Sequence, residues 1–155
     1  MKIKNHRLMN DDTAVPFVQS PNLGGSVQPN YLVMHFTAGK NAKESVDWLA
    51  SKAAKASAHV VIGRDGSITQ LVPFDRVAWH AGASSWEGFQ GMNNYSIGIE
   101  LDNAGRLTRH GDKWRAWFGA DYDDAEVVQA VHKNETDLCG WQDYTPGSRF
   151  VDNQI

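Results

Sequence analysis

Residues Tyr31 to Lys40 read Tyr-Leu-Val-Met-His-Phe-Thr-Ala-Gly-Lys, an apolar strand that delivers His35 and then breaks into a Thr-Ala-Gly turn. A neutral imidazole at a strand end is fixed in direction by the sheet and can offer a ring nitrogen to zinc, although zinc needs further ligands to be held. A second chemically capable group is Glu100, at the end of Tyr-Ser-Ile-Gly-Ile-Glu-Leu over residues 95–101. Ile97 and Ile99 alternate there with Ser96, Gly98 and Glu100, so the run predicts a strand carrying one acidic side chain. A carboxylate in that position can serve as a general base, or it can be an exposed strand residue.

Three other histidines bear on these two. His59 lies in a β-branched run, where an imidazole bonded to backbone is the bland expectation. His80 stands in Trp79-His80-Ala81-Gly82, followed by Ser84, Ser85 and Trp86. Small residues between aromatics suit a loop lining a groove, so His80 and Trp79 are candidates for substrate contact, with structural packing as the alternative. His110 and His132 lie in polar stretches and are expected to be solvated, and His6 is near a terminus. Cys139 is expected to be a small buried side chain. Trp114, Trp117, Phe118 and Tyr122 fit a carbohydrate platform and a packed surface segment about equally.

The elements that must position these residues follow from pattern. Asn41 with Glu44 has capping-box spacing, and Val46, Leu49, Ala50 and Ala53 recur at helical intervals, predicting an amphipathic helix. His59 to Ile62, the turn Arg64-Asp65-Gly66 and the run Ser67 to Val72 predict a β-hairpin. Between Asn10 and Asn30, Pro16, Pro21, Gly24, Gly25 and Pro29 predict an irregular approach to the first core strand. The mixture is α/β, without internal repeat or low-complexity tract.

Composition narrows the class. The chain has 155 residues, 41% of them hydrophobic, enough for one domain with a sizeable core. Its 15 basic and 18 acidic residues, without a basic block, give no footprint for nucleic acid. One cysteine excludes an internal disulfide. The start Met-Lys-Ile-Lys-Asn-His-Arg has charge but no apolar run, so neither a signal peptide nor a membrane partner is expected and a cytoplasmic location is the default.

Six elements now stand in order: His35 to Gly39, Ser57 to His59, Asp65-Gly66, Gln70 to Pro73, Trp79 to Gly82, and Asn93 to Glu100. Together they resemble the zinc-dependent N-acetylmuramoyl-L-alanine amidases, whose relatives include phage T7-type lysozyme and the peptidoglycan recognition proteins. The resemblance covers roughly residues 30 to 145. It implies a central mixed β-sheet flanked by helices, in one domain over 1–155: an irregular approach at 1–29, the family-like region at 30–145 and a divergent tail at 146–155. It implies peptidoglycan or a muropeptide as partner, and hydrolysis of the amide between N-acetylmuramic acid and L-alanine. By family position His35 is a zinc ligand and Glu100 the general base, and Thr37 joins Trp79 and His80 as a candidate for substrate binding.

The sequence departs from the family at its closing segment, where relatives place a second zinc histidine and a ligating aspartate or cysteine. Two alignments compete. In one, Gly140-Trp141-Gln142-Asp143, Pro146-Gly147, Arg149 and Asp152 form a degraded closing segment, with Trp141 in the histidine's place. In the other, favoured because Thr145-Pro146 marks a helix start, residues 132–146 lead into a C-terminal helix that the sequence does not continue. Either way the three-ligand site is incomplete from family positions. An amidase with an impaired zinc site and a non-catalytic muropeptide binder are the two function classes expected. Loss of a covering helix further implies an exposed apolar sheet face and self-association through it.

Overall fold

The computed structural model describes residues 1–132 and 135–139, with side chains through residue 128. In chain order the strands are β1 (Lys2–Lys4), β2 (Arg7–Asn10), β3 (Thr13–Ala14), β4 (Leu23–Ser26) and β5 (Tyr31–Phe36). The helix α1 (Ala42–Leu49) comes next, and then β6 (Val60–Ile62), β7 (Ile68–Gln70), β8 (Arg76–Ala78), β9 (Ser85–Trp86), β10 (Phe89–Gln90) and β11 (Ser96–Leu101). The remainder is β12 (Leu107–His110), β13 (Lys113–Ala116), β14 (Asp121–Tyr122), β15 (Val128–His132) and β16 (Glu135–Cys139).

The central sheet has the order β5-β11-β6-β7. Its first three strands run parallel and β7 returns antiparallel to β6, which gives the mixed sheet expected. The return is made where the sequence placed it. Gly66 adopts φ 81°, Asp65 Oδ1 accepts from the Ser67 amide at 2.9 Å, and the Gly63 amide donates to Ser67 O at 2.8 Å. The crossover between the parallel strands β5 and β6 contains α1. Asn41 caps it, its Oδ1 accepting from the Glu44 amide at 2.8 Å, while the Glu44 carboxylate accepts from the Asn41 side-chain amide at 3.2 Å. Val46 is the helix's buried residue and packs with Val61, Leu71, Val72 and Ala78, so the apolar stripe seats the helix on the sheet.

Residues 1–29, expected to be irregular, include four short strands. β1, β2 and β3 form an antiparallel meander, and β4 pairs with β8. Its tight turns use positive φ at Asn5, His6 and Asp11, none of which is a glycine. Buried Gln70 ties the meander to the core. Its Oε1 accepts from the Leu8 amide at 3.0 Å and from Arg7 Nε at 3.1 Å, and its Nε2 donates to the carbonyls of His6 at 2.9 Å and Val72 at 3.0 Å. The meander was missed because its strands are two to four residues long and mostly solvent-facing, so they carry no apolar period.

After β11, the three-stranded sheet β12-β13-β14 closes over Ala104, Leu107 and Ala116, with Trp114, Phe118 and Tyr122 packed against them. Three of the four aromatics noted there are therefore packing residues, while Trp117 is 78% exposed. β15 and β16 form an antiparallel hairpin. Among the described residues α1 is the one α-helix. The first alignment of the closing segment and the expected C-terminal helix fall on residues 140–155, outside those described, whereas the second alignment, over residues 132–146, begins in the β15–β16 hairpin and continues past the described residues.

Candidate active site

In the parallel register of β5 and β11, His35 stands directly beside Glu100. Neighbours in register point to the same face, so the pair shares a face at the carboxyl ends of two parallel strands, where open α/β sheets characteristically bind ligands. Ser96 and Gly98 alternate onto that face of β11 with Glu100.

Glu100 is half-buried as a residue, but its Oε2 is shut off from solvent and, among the described residues, accepts no hydrogen bond. Burial pushes its carboxyl up to about 7 from an ordinary 4.5. A carboxyl at that value exchanges a proton readily near neutral pH.

His80 reaches this face from the loop after β8. Its Nδ1 lies 3.0 Å from His35 Nε2, and its Nε2 lies 3.2 Å from Ser96 Oγ. Burial first, and then the neighbouring His35 and His59, lower its basicity to about 3, so the ring is neutral at working pH. The loop is held by Asn93, whose Oδ1 accepts from the amides of His80 at 2.9 Å and Ala81 at 2.7 Å. Sequence reasoning assigned no role to Asn93 or Ser96. Both lie in the same motif as Glu100, but the groups they bind come from a loop more than ten residues away.

His59 is fully buried and both its nitrogens are engaged. Nε2–H donates to Arg76 O at 2.9 Å, and Nδ1 accepts from the Gly98 amide at 3.0 Å. Burial lowers its pKa, and it bridges β8 to β11 as a structural histidine. Ser57, two residues earlier, donates to Asn22 O at 2.5 Å and accepts from the Trp79 amide at 2.8 Å. Trp79 is thereby anchored through its backbone while its side chain is left partly open, at 41% exposure. The Thr37 hydroxyl donates to Asn103 O at 3.2 Å and accepts from the amides of Gly39 and Asn103, each at 3.3 Å, which holds the turn after His35. Trp117 Nε1 donates to Ala38 O in the same turn at 2.7 Å.

A catalytic zinc site takes three protein ligands and keeps one open position. Among the described residues no group of three His, Cys, Asp or Glu side chains is placed to hold a metal. His35 supplies one imidazole, but both nitrogens of His59 and of His80 already have partners. The described residues alone therefore do not fit a closed zinc site.

The family model for N-acetylmuramoyl-L-alanine amidase matches residues 25–143. The chain belongs to this family. Its members are generally zinc-dependent. Over 85 residues the chain is 53% identical to the 1,6-anhydro-N-acetylmuramyl-L-alanine amidase AmpD of Escherichia coli (strain K12), a match covering 55% of this chain and 46% of that protein. Over 94 residues it is 38% identical to the N-acetylmuramoyl-L-alanine amidase AmiD of the same organism, covering 56% and 33%. The crystal structure of a selenomethionine AmpD derivative superposes with a TM-score of 0.53 at 33% identity, covering 66% of each chain. The matches thus span less than half the length of these curated relatives.

Proposed function

We propose that this amidase-family chain carries the proton-transfer half of a site that hydrolyses the amide between N-acetylmuramic acid and L-alanine, with 1,6-anhydro-muropeptides as the favoured substrate class. The single observation that carries the reading is the enclosed Oε2 of Glu100 beside His35, which accepts no hydrogen bond among the described residues. An unpaired buried carboxyl destabilises a fold, and such groups concentrate where chemistry uses them. The likeness to AmpD supports the choice of substrate class.

In this reading Glu100 takes a proton from the water that attacks the lactyl carbonyl carbon. It returns that proton to the alanine nitrogen as the C–N bond breaks, releasing the lactyl carboxylic acid and a free amine, which exchange the remaining water proton to become carboxylate and ammonium. Trp79, with its side chain partly open beside the His80 loop, is assigned to the substrate's side of the site, and Thr37 holds the turn that follows His35. By family position we assign His35 as one ligand of the family's metal, a site that the described residues alone do not complete.

The test is release of the free stem peptide from an anhydromuramoyl-tripeptide by the full chain supplied with zinc, followed by chromatography. Glu100→Gln is expected to lower the rate by about 10²–10⁴-fold, the usual share of a general base. Wild-type cleavage by Glu100→Gln overturns the assignment of the base. Tight muropeptide binding without any cleavage by the unaltered chain assigns it instead to the non-catalytic binders.

A further inference from the structure

Two exposed aromatic side chains, Trp86 at 43% and Phe89 at 37%, stand opposite each other in the β9–β10 hairpin. Directly opposed residues of an antiparallel pair lie on one face, so the two rings make a single patch. The patch is held in place. Phe89 meets Tyr31 edge-on with ring centroids 5.8 Å apart and packs on Tyr95 at 4.9 Å. The turn between the strands is Glu87-Gly88, with φ of 47° and 87°. Such a turn favours asparagine before glycine, so the glutamate is there for its side chain rather than its backbone preference. Its carboxylate accepts from the Tyr31 hydroxyl at 3.1 Å and pins the hairpin tip to β5. A carboxylate has further lone pairs, so Glu87 can hold Tyr31 and still accept from a second hydroxyl.

The hairpin continues the loop that brings His80 to His35. At its base the Gly91 amide donates to Ser84 O at 2.6 Å and the Met92 amide to Ser84 Oγ at 3.1 Å, next to the Asn93 side chain that holds the His80 and Ala81 amides. Tyr31 shares the parity of His35 on β5 and precedes it by four residues, so the patch borders the face of the candidate site about 13 Å along the strand. That separation leaves room for the sugar bearing the scissile amide and places the patch beneath the sugar attached to it.

We propose that Trp86, Phe89 and Glu87 form a glycan subsite that takes an N-acetylhexosamine linked to the substrate's muramic acid. The proposal deepens the amidase reading and rests on it for the identity of the glycan. A pyranose with equatorial substituents presents C–H groups on its face and hydroxyls at its edge, which matches open aromatic rings rimmed by a carboxylate. The peptide stem carries carboxylates of its own, which Glu87 repels. In a 1,6-anhydro-muropeptide the internal bridge closes C1, so the further sugar is the one linked through O4.

The probe is chitotetraose, an N-acetylglucosamine oligomer without peptide, titrated into the ¹⁵N-labelled full chain and followed by proton–nitrogen correlation spectra. The Trp86 indole N–H and the amides of residues 85–90 are expected to shift, while the exposed indoles of Trp48 and Trp117 stay in place. Trp86→Ala is expected to weaken binding roughly tenfold, and Trp86→Tyr, which keeps an aromatic face, to retain most of it. Absence of any shift at Trp86 overturns the proposal, as do shifts there on adding the free stem peptide in place of the oligosaccharide. So does unchanged affinity in a Trp86→Ala protein whose amide spectrum remains dispersed. If Trp86→Ala does not fold, the pattern of shifts in the unaltered chain decides. Because binding needs no turnover, a chain that binds the oligosaccharide at Trp86 yet cleaves no muropeptide upholds the subsite and overturns the amidase reading alone. Cleavage of an anhydromuramoyl-tripeptide without oligosaccharide binding does the reverse.

Discussion

Glu100 carries a cost in stability that its chemistry explains. A carboxyl whose pKa is higher folded than unfolded binds more protons in the native state, so stability falls as pH rises between the unfolded value and the folded one. With the ordinary value at 4.5 and the folded one at about 7, stability is expected to decline across that window and to stay low above it. The full loss is on the order of 3 kcal/mol. Glu100→Gln removes the titration. Urea unfolding of the metal-free protein is therefore expected to show the variant more stable than the parent at pH 8, with the gap closing toward pH 4. A parent stability that rises from pH 5 to pH 7 relative to Glu100→Gln contradicts the assignment. His59 has a different fate in the same neighbourhood, because both of its nitrogens are satisfied and its burial serves packing. Titratable residues in one motif set thus divide between structure and chemistry according to whether their polar atoms are already engaged.

At the scale of elements, Gln70 decides whether the N-terminal meander belongs to the fold. One side chain there satisfies two donors and two acceptors contributed by Arg7, Leu8, His6 and Val72. Gln70→Leu keeps the volume but strands those partners, at a penalty of about 1–3 kcal/mol for each buried group left unpaired. The variant is expected to lose about 3 kcal/mol in all and to lose hydrogen-exchange protection over residues 2–14 while keeping it over β6 and β11. Uniform loss across the chain would show instead that the meander is not a separate unit. The elements legible in the sequence were those whose signals are local. The Asn41 cap, the Asp65-Gly66 turn and the alternation around Ile97 and Ile99 each fix a conformation within a few residues. The meander was not legible, since Gln70 reads as an ordinary polar residue until the chain some sixty residues away is folded against it. His80 was noticed for the same local reasons as Trp79. Its bonds to Ser96 and His35 depend on the packing of a loop over Gly98, and no periodicity encodes that.

For the whole molecule, the two faces of the central sheet are unequally covered. The face shared by His35, Val61, Gly98 and Glu100 both holds α1 and receives the His80 loop. On the opposite face β5 presents Leu32, Met34 and Phe36, with Leu32 68% exposed. Among the described residues β5 is also an edge, paired with β11 alone. A strand that exposes an apolar side chain and, among the described residues, is unpaired along one side is a template for another strand. We propose self-association through β5, so sedimentation velocity of the full chain is expected to show a mass that climbs with concentration above 17.2 kDa. A lysine at an exposed edge opposes such pairing by charge, and Leu32→Lys is expected to hold the protein monomeric at the same concentrations without altering its unfolding midpoint by more than a small amount. The substitution lies on the face away from His35 and Glu100, so the geometry around those two residues should be untouched by it. A protein that stays monomeric before the substitution would mean that the apolar face of β5 is already covered within one chain.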